Sequence, residues 1–262
     1  MDSSAHGADI ARTEGVGTTP TFLITGATGP VAGPTIALLA GRGDRLLLTG
    51  RNRERLAELE QRYGARGQVE TFAVDVTDSV GAGIAADTVI ERFGRLDGLI
   101  HMVGDFQAGP VVKTDPADYQ RAMSVNFISA VVATKAVLPL LGNGGRLVYF
   151  GTPVAQEPLP GMSCYAASKA ALTAWVRSLS HEVKHRGVHA NMVVMTMADT
   201  PDARAARPHL DFDEAVSPAL VARAVGFLAS EAADGLYGSL VPVLGRFGFA
   251  TALAPRGPAP AP

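Results

Sequence analysis

Short apolar runs recur along this chain with helix-length stretches between them: Thr21 to Thr25, Arg45 to Thr49, Val69 to Val74, Leu96 to Met102, Arg146 to Phe150, Val188 to Val194 and Ser239 to Val243. Near-continuous Val, Ile and Leu leave neither face of such a strand fit for water, so each is covered on both sides. A strand that returns to its sheet after a helical crossover runs parallel to the one before it. The pattern predicts an α/β fold: a doubly wound parallel sheet of about seven strands, with ligands at the carboxyl ends of the strands. We see no internal repeat and no second domain, and residues 19–249 read as one unit. Residues 1–18, rich in Gly, Ser, Thr and Ala, and residues 250–262, which repeat Ala and Pro, lack the apolar content to fold alone and are expected to be loose tails.

The first run is followed at once by Gly26-Ala-Thr-Gly29-Pro30-Val-Ala32-Gly33 and an Ala/Leu-rich stretch to about Ala40. A strand, a glycine turn and a helix start bring free backbone N–H groups and the helix dipole to one point, which suits a phosphate. Gly26 and Gly29 permit a sharp turn and close approach, and Ala32 and Gly33 are small enough for the helix to pack on the sheet. Pro30 removes one donor, and its ring suits the first helical position. A plain strand-to-helix turn also uses glycine, so the cluster alone is not specific. The second run ends in Gly50-Arg51-Asn52-Arg53, where an acid would hold a ribose 2′-hydroxyl. A guanidinium there suits a 2′-phosphate instead, which favours NADP(H) over NAD(H), with Asn52 or Arg53 helping. The alternative is that Arg51, Arg53 and Arg55 form the solvated face of the next helix.

Tyr165 and Lys169 lie four residues apart, so a helix puts both on one face. A phenol titrates near 10, and a fixed positive charge within a few ångströms is the simplest way to make it a usable acid and base. Any Tyr and Lys fall at this spacing by chance, and packing plus a solvated charge is the bland explanation.

The glycine turn and the Tyr-x-x-x-Lys pair, in this order, resemble the short-chain dehydrogenase/reductase family over about Thr21 to Gly245. The resemblance implies a Rossmann-type single domain, a nicotinamide cofactor and catalysis by Tyr165 and Lys169. It puts Thr152 where the family has a serine, thirteen residues before the tyrosine, and Asn126 where it has a helix-borne asparagine. Cofactor contacts are implied for Gly26, Thr28, Gly29, Pro30, Val31, Arg51, Asn52, Asp75, Val76, His101, Val103, Gly104, Tyr165, Lys169 and Thr200. Asp75 has a second reading as the cap of the helix after strand three. The spacing Gly26, Gly29, Ala32 matches the GxxGxxG variant, and the segments from Asp199 and from Pro208 to Phe212 look like a dihydropteridine-reductase-like branch. Two strings depart from the family: His101-Met-Val-Gly104 replaces Asn-Asn-Ala-Gly, and Met195-Thr196 replaces Pro-Gly. His101 reads as a brace, a ligand-facing group or a polar strand end.

The implied chemistry is hydride transfer between nicotinamide and the carbonyl or alcohol carbon of a small, mainly apolar substrate. Its pocket is expected from Phe106, Thr152, Met162, Met195, Met197 and Phe212, under a lid of residues 195–217. Two alternatives are a non-redox enzyme on the same fold (a dehydratase, isomerase or cyclase) and a nucleotide-sensing protein without catalysis. Twenty-three Lys and Arg balance 25 Asp and Glu, so nothing calls for nucleic acid or an anionic membrane. The one cysteine, Cys164, excludes an intramolecular disulfide, and the scattered histidines give no metal site. No apolar run approaches the roughly 20 residues that cross a bilayer, and the start has neither a basic n-region nor an apolar h-region. A cytoplasmic protein is expected, paired into a homodimer or homotetramer through the Ala-rich face of the Tyr165 helix (Ala167, Ala170, Ala171, Ala174).

Overall fold

In a computed structural model that describes residues 19–64 and 68–246, seven parallel strands form one sheet. They are β1 (Thr21–Thr25), β2 (Arg45–Gly50), β3 (Val69–Ala73), β4 (Gly98–His101), β5 (Arg146–Gly151), β6 (His189–Met195) and β7 (Leu240–Val243). The order is β3-β2-β1-β4-β5-β6-β7, so the winding reverses between β1 and β4. This is the Rossmann-type fold expected from the sequence, and the reversal opens the crevice where such sheets take ligands. The tails expected at 1–18 and 250–262 lie outside the described residues.

Alternate side chains on each strand enter opposite layers. Phe22, Ile24, Leu46 and Leu48 face α1 (Ala32–Arg42) and α8 (Pro218–Leu228), which pack on each other. Leu23, Leu47, Leu99, Leu147 and Tyr149 face the side of α3 (Ser79–Phe93), α5 (Ser129–Val137) and α6 (Ser163–Val183). All of these are within 1% of full burial. Each buried Leu or Phe contributes roughly 1.5–3 kcal/mol, so the two layers hold the strand ends that carry the site. The remaining helices are α2 (Arg53–Tyr63), α4 (Pro116–Met123) and α7 (Pro201–Ala206).

One expectation is corrected. Residues Pro116–Leu140 form a 25-residue helix of mean hydropathy 1.5, long and apolar enough by length and composition to cross a bilayer. Asp118, Arg121 and Lys135 interrupt the run in sequence, but a helix sorts apolar residues onto faces regardless of such interruptions. One face of this helix enters the core through Ala130, Ala133 and Val137, and Thr134 hydrogen-bonds Tyr149 (2.6 Å). A helix docked on a sheet in this way passes the same test as a membrane span.

Candidate active site

The glycine turn closes tightly against the exit of β4. Gly26 has φ 71°, and a Cβ there would lie 2.8 Å from the backbone of Met102 and Val103. Gly26→Ala is therefore expected to cost at least about 2 kcal/mol, from left-handed strain and the clash together, and to weaken NADPH binding. Thermal melting with a fluorescence titration checks this, and wild-type values for both would contradict it. The Gly29 N–H donates to Gly26 O (3.0 Å) and the Ala32 N–H to Gly29 O (3.1 Å), so two turns precede the helix. Pro30 thus lies before the N-cap Val31 and not at the first helical position as expected. Gly33 is also not needed for packing, since a Cβ there would touch nothing, whereas Ala32 is fully buried.

Beside this turn lies the edge expected to hold the adenosine end. A Cβ on Gly50 would meet the Thr28 hydroxyl at 3.1 Å, so the turn and the end of β2 nearly touch. The Arg51 side chain is 79% exposed and stands 3.9 Å from the Asp75 carboxylate. Burial works against ionisation of Asp75, but hydrogen bonds from the Thr77 side chain and backbone and the Arg51 charge outweigh it, holding its carboxyl below the usual range. The cap of α3 is Asp78, which accepts from the Val80 and Gly81 N–H groups, so the alternative reading of Asp75 as that cap is corrected. Asn52 caps α2 through the Arg55 N–H (2.9 Å), and Val76 is buried in the core. Sequence reasoning treated Arg55 as helix surface, yet its guanidinium reaches Thr28 O at 3.5 Å. Its only signal was position one turn after Asn52.

Asn126, Thr152, Tyr165 and Lys169 converge where β4 and β5 end. Asn126 sits in a π-helical turn, Ser124–Ile128, between α4 and α5. Its amide accepts from the Asp105 N–H (2.9 Å) and donates to Asp105 O (3.0 Å) and Ser168 Oγ (3.0 Å). Ser168 in turn donates to Tyr165 O (2.8 Å), a link that sequence reasoning missed. Lys169 Nζ is buried and donates to Phe150 O (2.9 Å), close beside Gly104. Burial pushes its pKa down to about 8.

Burial pushes the Tyr165 phenol up to about 12; a hydrogen bond with Thr152 opposes the shift, and the Asp105 charge adds to it. The Lys169 ammonium is instead bonded to the Phe150 carbonyl. The expectation that the amine makes the phenol unusually acidic is therefore corrected, because the ammonium is turned to the β5 carbonyl. Burial is the largest cause of the shift in both groups.

His101 is fully enclosed, with Nδ1 at 2.8 Å from Thr25 Oγ1 and Nε2 at 3.0 Å from Ser129 Oγ. Burial, with the Lys169 charge adding, pushes its pKa down to about 3, so the ring is neutral at neutral pH. Of the three readings, its side chain acts as a brace between β1, β4 and α5. Thr200 is buried and caps α7 through the Ala203 N–H (3.1 Å).

The expected pocket residues divide. Phe106 is 41% exposed and meets Tyr165 edge-on, centroids 5.0 Å apart, with Met162 and Met197 half-buried. Met195 packs against the α1/α8 layer, and Phe212 is buried beneath Arg204, so neither presents its side chain as a free wall. β6 alternates its faces, and this turns Met195 inward. Among the described residues no group of His, Cys, Asp or Glu could hold a metal ion.

These donors fit a dinucleotide: a glycine turn that admits no Cβ at Gly26, an α1 start with no side-chain cap, and exposed guanidiniums at Arg51 and Arg55 beside it. A family model described as enoyl-(acyl carrier protein) reductase matches residues 26–245. Sulfoacetaldehyde reductase 2 of Chromohalobacter salexigens is 35% identical over 182 residues, 68% of this chain and 72% of its own length. A crystal structure of a short chain dehydrogenase from Burkholderia cenocepacia J2315 in complex with NADP superposes with a TM-score of 0.78, at 30% identity, covering 86% of this chain and 96% of that one. A blue fluorescent protein from a metagenomic library, in complex with NADPH, has a TM-score of 0.79 at 26% identity, over 87% and 98%. With the fold, the switch-point crevice and these likenesses in agreement, the chain belongs to the short-chain dehydrogenase/reductase family of NAD(P)-dependent oxidoreductases.

Proposed function

We propose that this protein is an NADPH-dependent carbonyl reductase in which Tyr165 is the proton donor. The observation that carries the reading is the placing of the Tyr165 phenol one helical turn before buried Lys169, whose ammonium is held by the Phe150 carbonyl, with buried Thr152 directly after that same strand β5. NADPH, when bound, supplies the hydride. The Gly26 to Val31 turn, Arg51 and Arg55 would hold its phosphates, and Tyr165 and Lys169 would hold the nicotinamide end. Tyr165 Oη protonates the alkoxide as it develops, and Thr152 Oγ1 hydrogen-bonds the same oxygen. A donor placed at charge that appears only in the transition state contributes roughly 3–4 kcal/mol. Asn126 fixes the Asp105 loop and, through Ser168, the first turn of the helix that carries Tyr165. Thr keeps the hydroxyl that a serine would offer, with a stiffer rotamer, so the departure at 152 is compatible with redox chemistry. Exposed Ala167 and Ala174 on α6 support pairing of two copies through that face.

The cofactor preference rests on Arg51, whose guanidinium has one weak carboxylate neighbour and is otherwise open. Fluorescence titration is expected to give NADPH at least about tenfold tighter binding than NADH, and Arg51→Ala to remove most of that difference, as loss of a charge-assisted hydrogen bond predicts. Equal affinities in the wild type would overturn the NADPH assignment. Following absorbance with a panel of aldehydes and ketones tests the reaction itself: binding without cofactor oxidation would leave the dehydratase or sensor readings.

A further inference from the structure

Arg207 follows α7, and among the described residues no carboxylate lies within ion-pair distance of it. Its neighbour Arg204 is different, being held by both oxygens of Asp199 at 2.6 and 2.9 Å. The Arg207 guanidinium lies over the Phe106 ring, 4.9 Å from its centroid, and Phe106 meets the Tyr165 ring at 5.0 Å. Two successive ring contacts thus lead from a permanent cation to the phenol. A guanidinium carries its N–H donors in one plane, the arrangement that takes a carboxylate or sulfonate with two hydrogen bonds. Phe106 is 41% exposed, so the pair stands at an open surface and not inside the core.

We propose that Arg207 recognises an oxyanion group on the substrate, and that the carbonyl compound reduced here carries a carboxylate or sulfonate a few bonds from its reducible carbon. Half-buried Met162 and Met197 suit the short carbon chain between the two ends. The proposal rests on the carbonyl-reductase reading and names its substrate class.

The test compares 4-oxobutanoate with its methyl ester, and 3-oxopropane-1-sulfonate as the sulfonate arm. Wild-type protein with NADPH is expected to show kcat/KM for the acid at least about tenfold above the ester, a ratio that shrinks with added salt. Arg207→Met is expected to bring that ratio to about one, and Arg207→Lys to leave an intermediate value because it keeps the charge but not the fork. A wild-type ratio near one, or a ratio unchanged in Arg207→Met, overturns the proposal. Calorimetric titration of 4-hydroxybutanoate into wild type and Arg207→Met needs no turnover: binding lost in the variant supports the anion site, and equal or absent binding in both overturns it. If the acid binds through Arg207 while no carbonyl is reduced, the anion site stands and the reductase reading falls.

Discussion

Tyr165→Phe is expected to lower kcat at least about a thousandfold while leaving the NADPH dissociation constant within about twofold of wild type. The substitution removes one oxygen and keeps the ring, so the edge-on contact with Phe106 and the packing of α6 persist. What disappears is the proton donor and the partner of the Thr152 hydroxyl. A general acid contributes roughly 10²–10⁴ in rate, and no other described acid sits on that oxygen to replace it. With its phenol pushed up to about 12, Tyr165 is fully protonated at neutral pH, the form that reduction needs. Wild-type turnover in the Phe variant would sink the assignment.

Lys169→Met is expected to abolish turnover and at the same time raise the melting temperature. The folded pKa of Lys169 is about 8 against an ordinary value of 10.5, so the unfolded chain binds the proton more tightly. At pH 7 both forms are protonated, and burying the ammonium costs roughly 3 kcal/mol, following about 1.4 kcal/mol per pKa unit. Loss of the charge-assisted hydrogen bond to Phe150 O offsets roughly 1.5 kcal/mol of the relief. The net gain of roughly 1.5 kcal/mol corresponds to a rise of about 3–6 °C for a domain of this size. The sign follows from the depressed pKa: stability from this group is present above pH 10.5 and is lost as pH falls through about 8. The variant's advantage is therefore full below pH 8 and shrinks towards pH 10.5. Calorimetry at pH 7 and at pH 10 reads both, and a variant that melts below wild type at pH 7 would refute the cost assigned to the buried charge.

Much of this was legible in the residues because it is local. Apolar runs of five to seven residues with helix-length spacers specify parallel strands, and their observed ends fall within two residues of those read from the sequence. Gly26 takes a positive φ as a turn there demands, and the 165/169 spacing puts both side chains on one helix face wherever that helix lies. The pattern could not say that His101 would be closed in by Thr25 and Ser129, 76 and 28 residues away. Nor could it say that Met195 would turn inward while Arg207 came to rest on Phe106, about a hundred positions earlier in the chain.

The sequence by itself thus determined the sheet, its glycine turn and the spacing that puts Tyr165 and Lys169 on one helix face, since backbone period and residue spacing dictate those at short range. Tertiary structure alone decided the charge states and partners of that pair. A pKa is set by which distant side chains exclude water from a group, and the core packed around Tyr165 and Lys169 moves both values away from what a helical neighbour alone would produce.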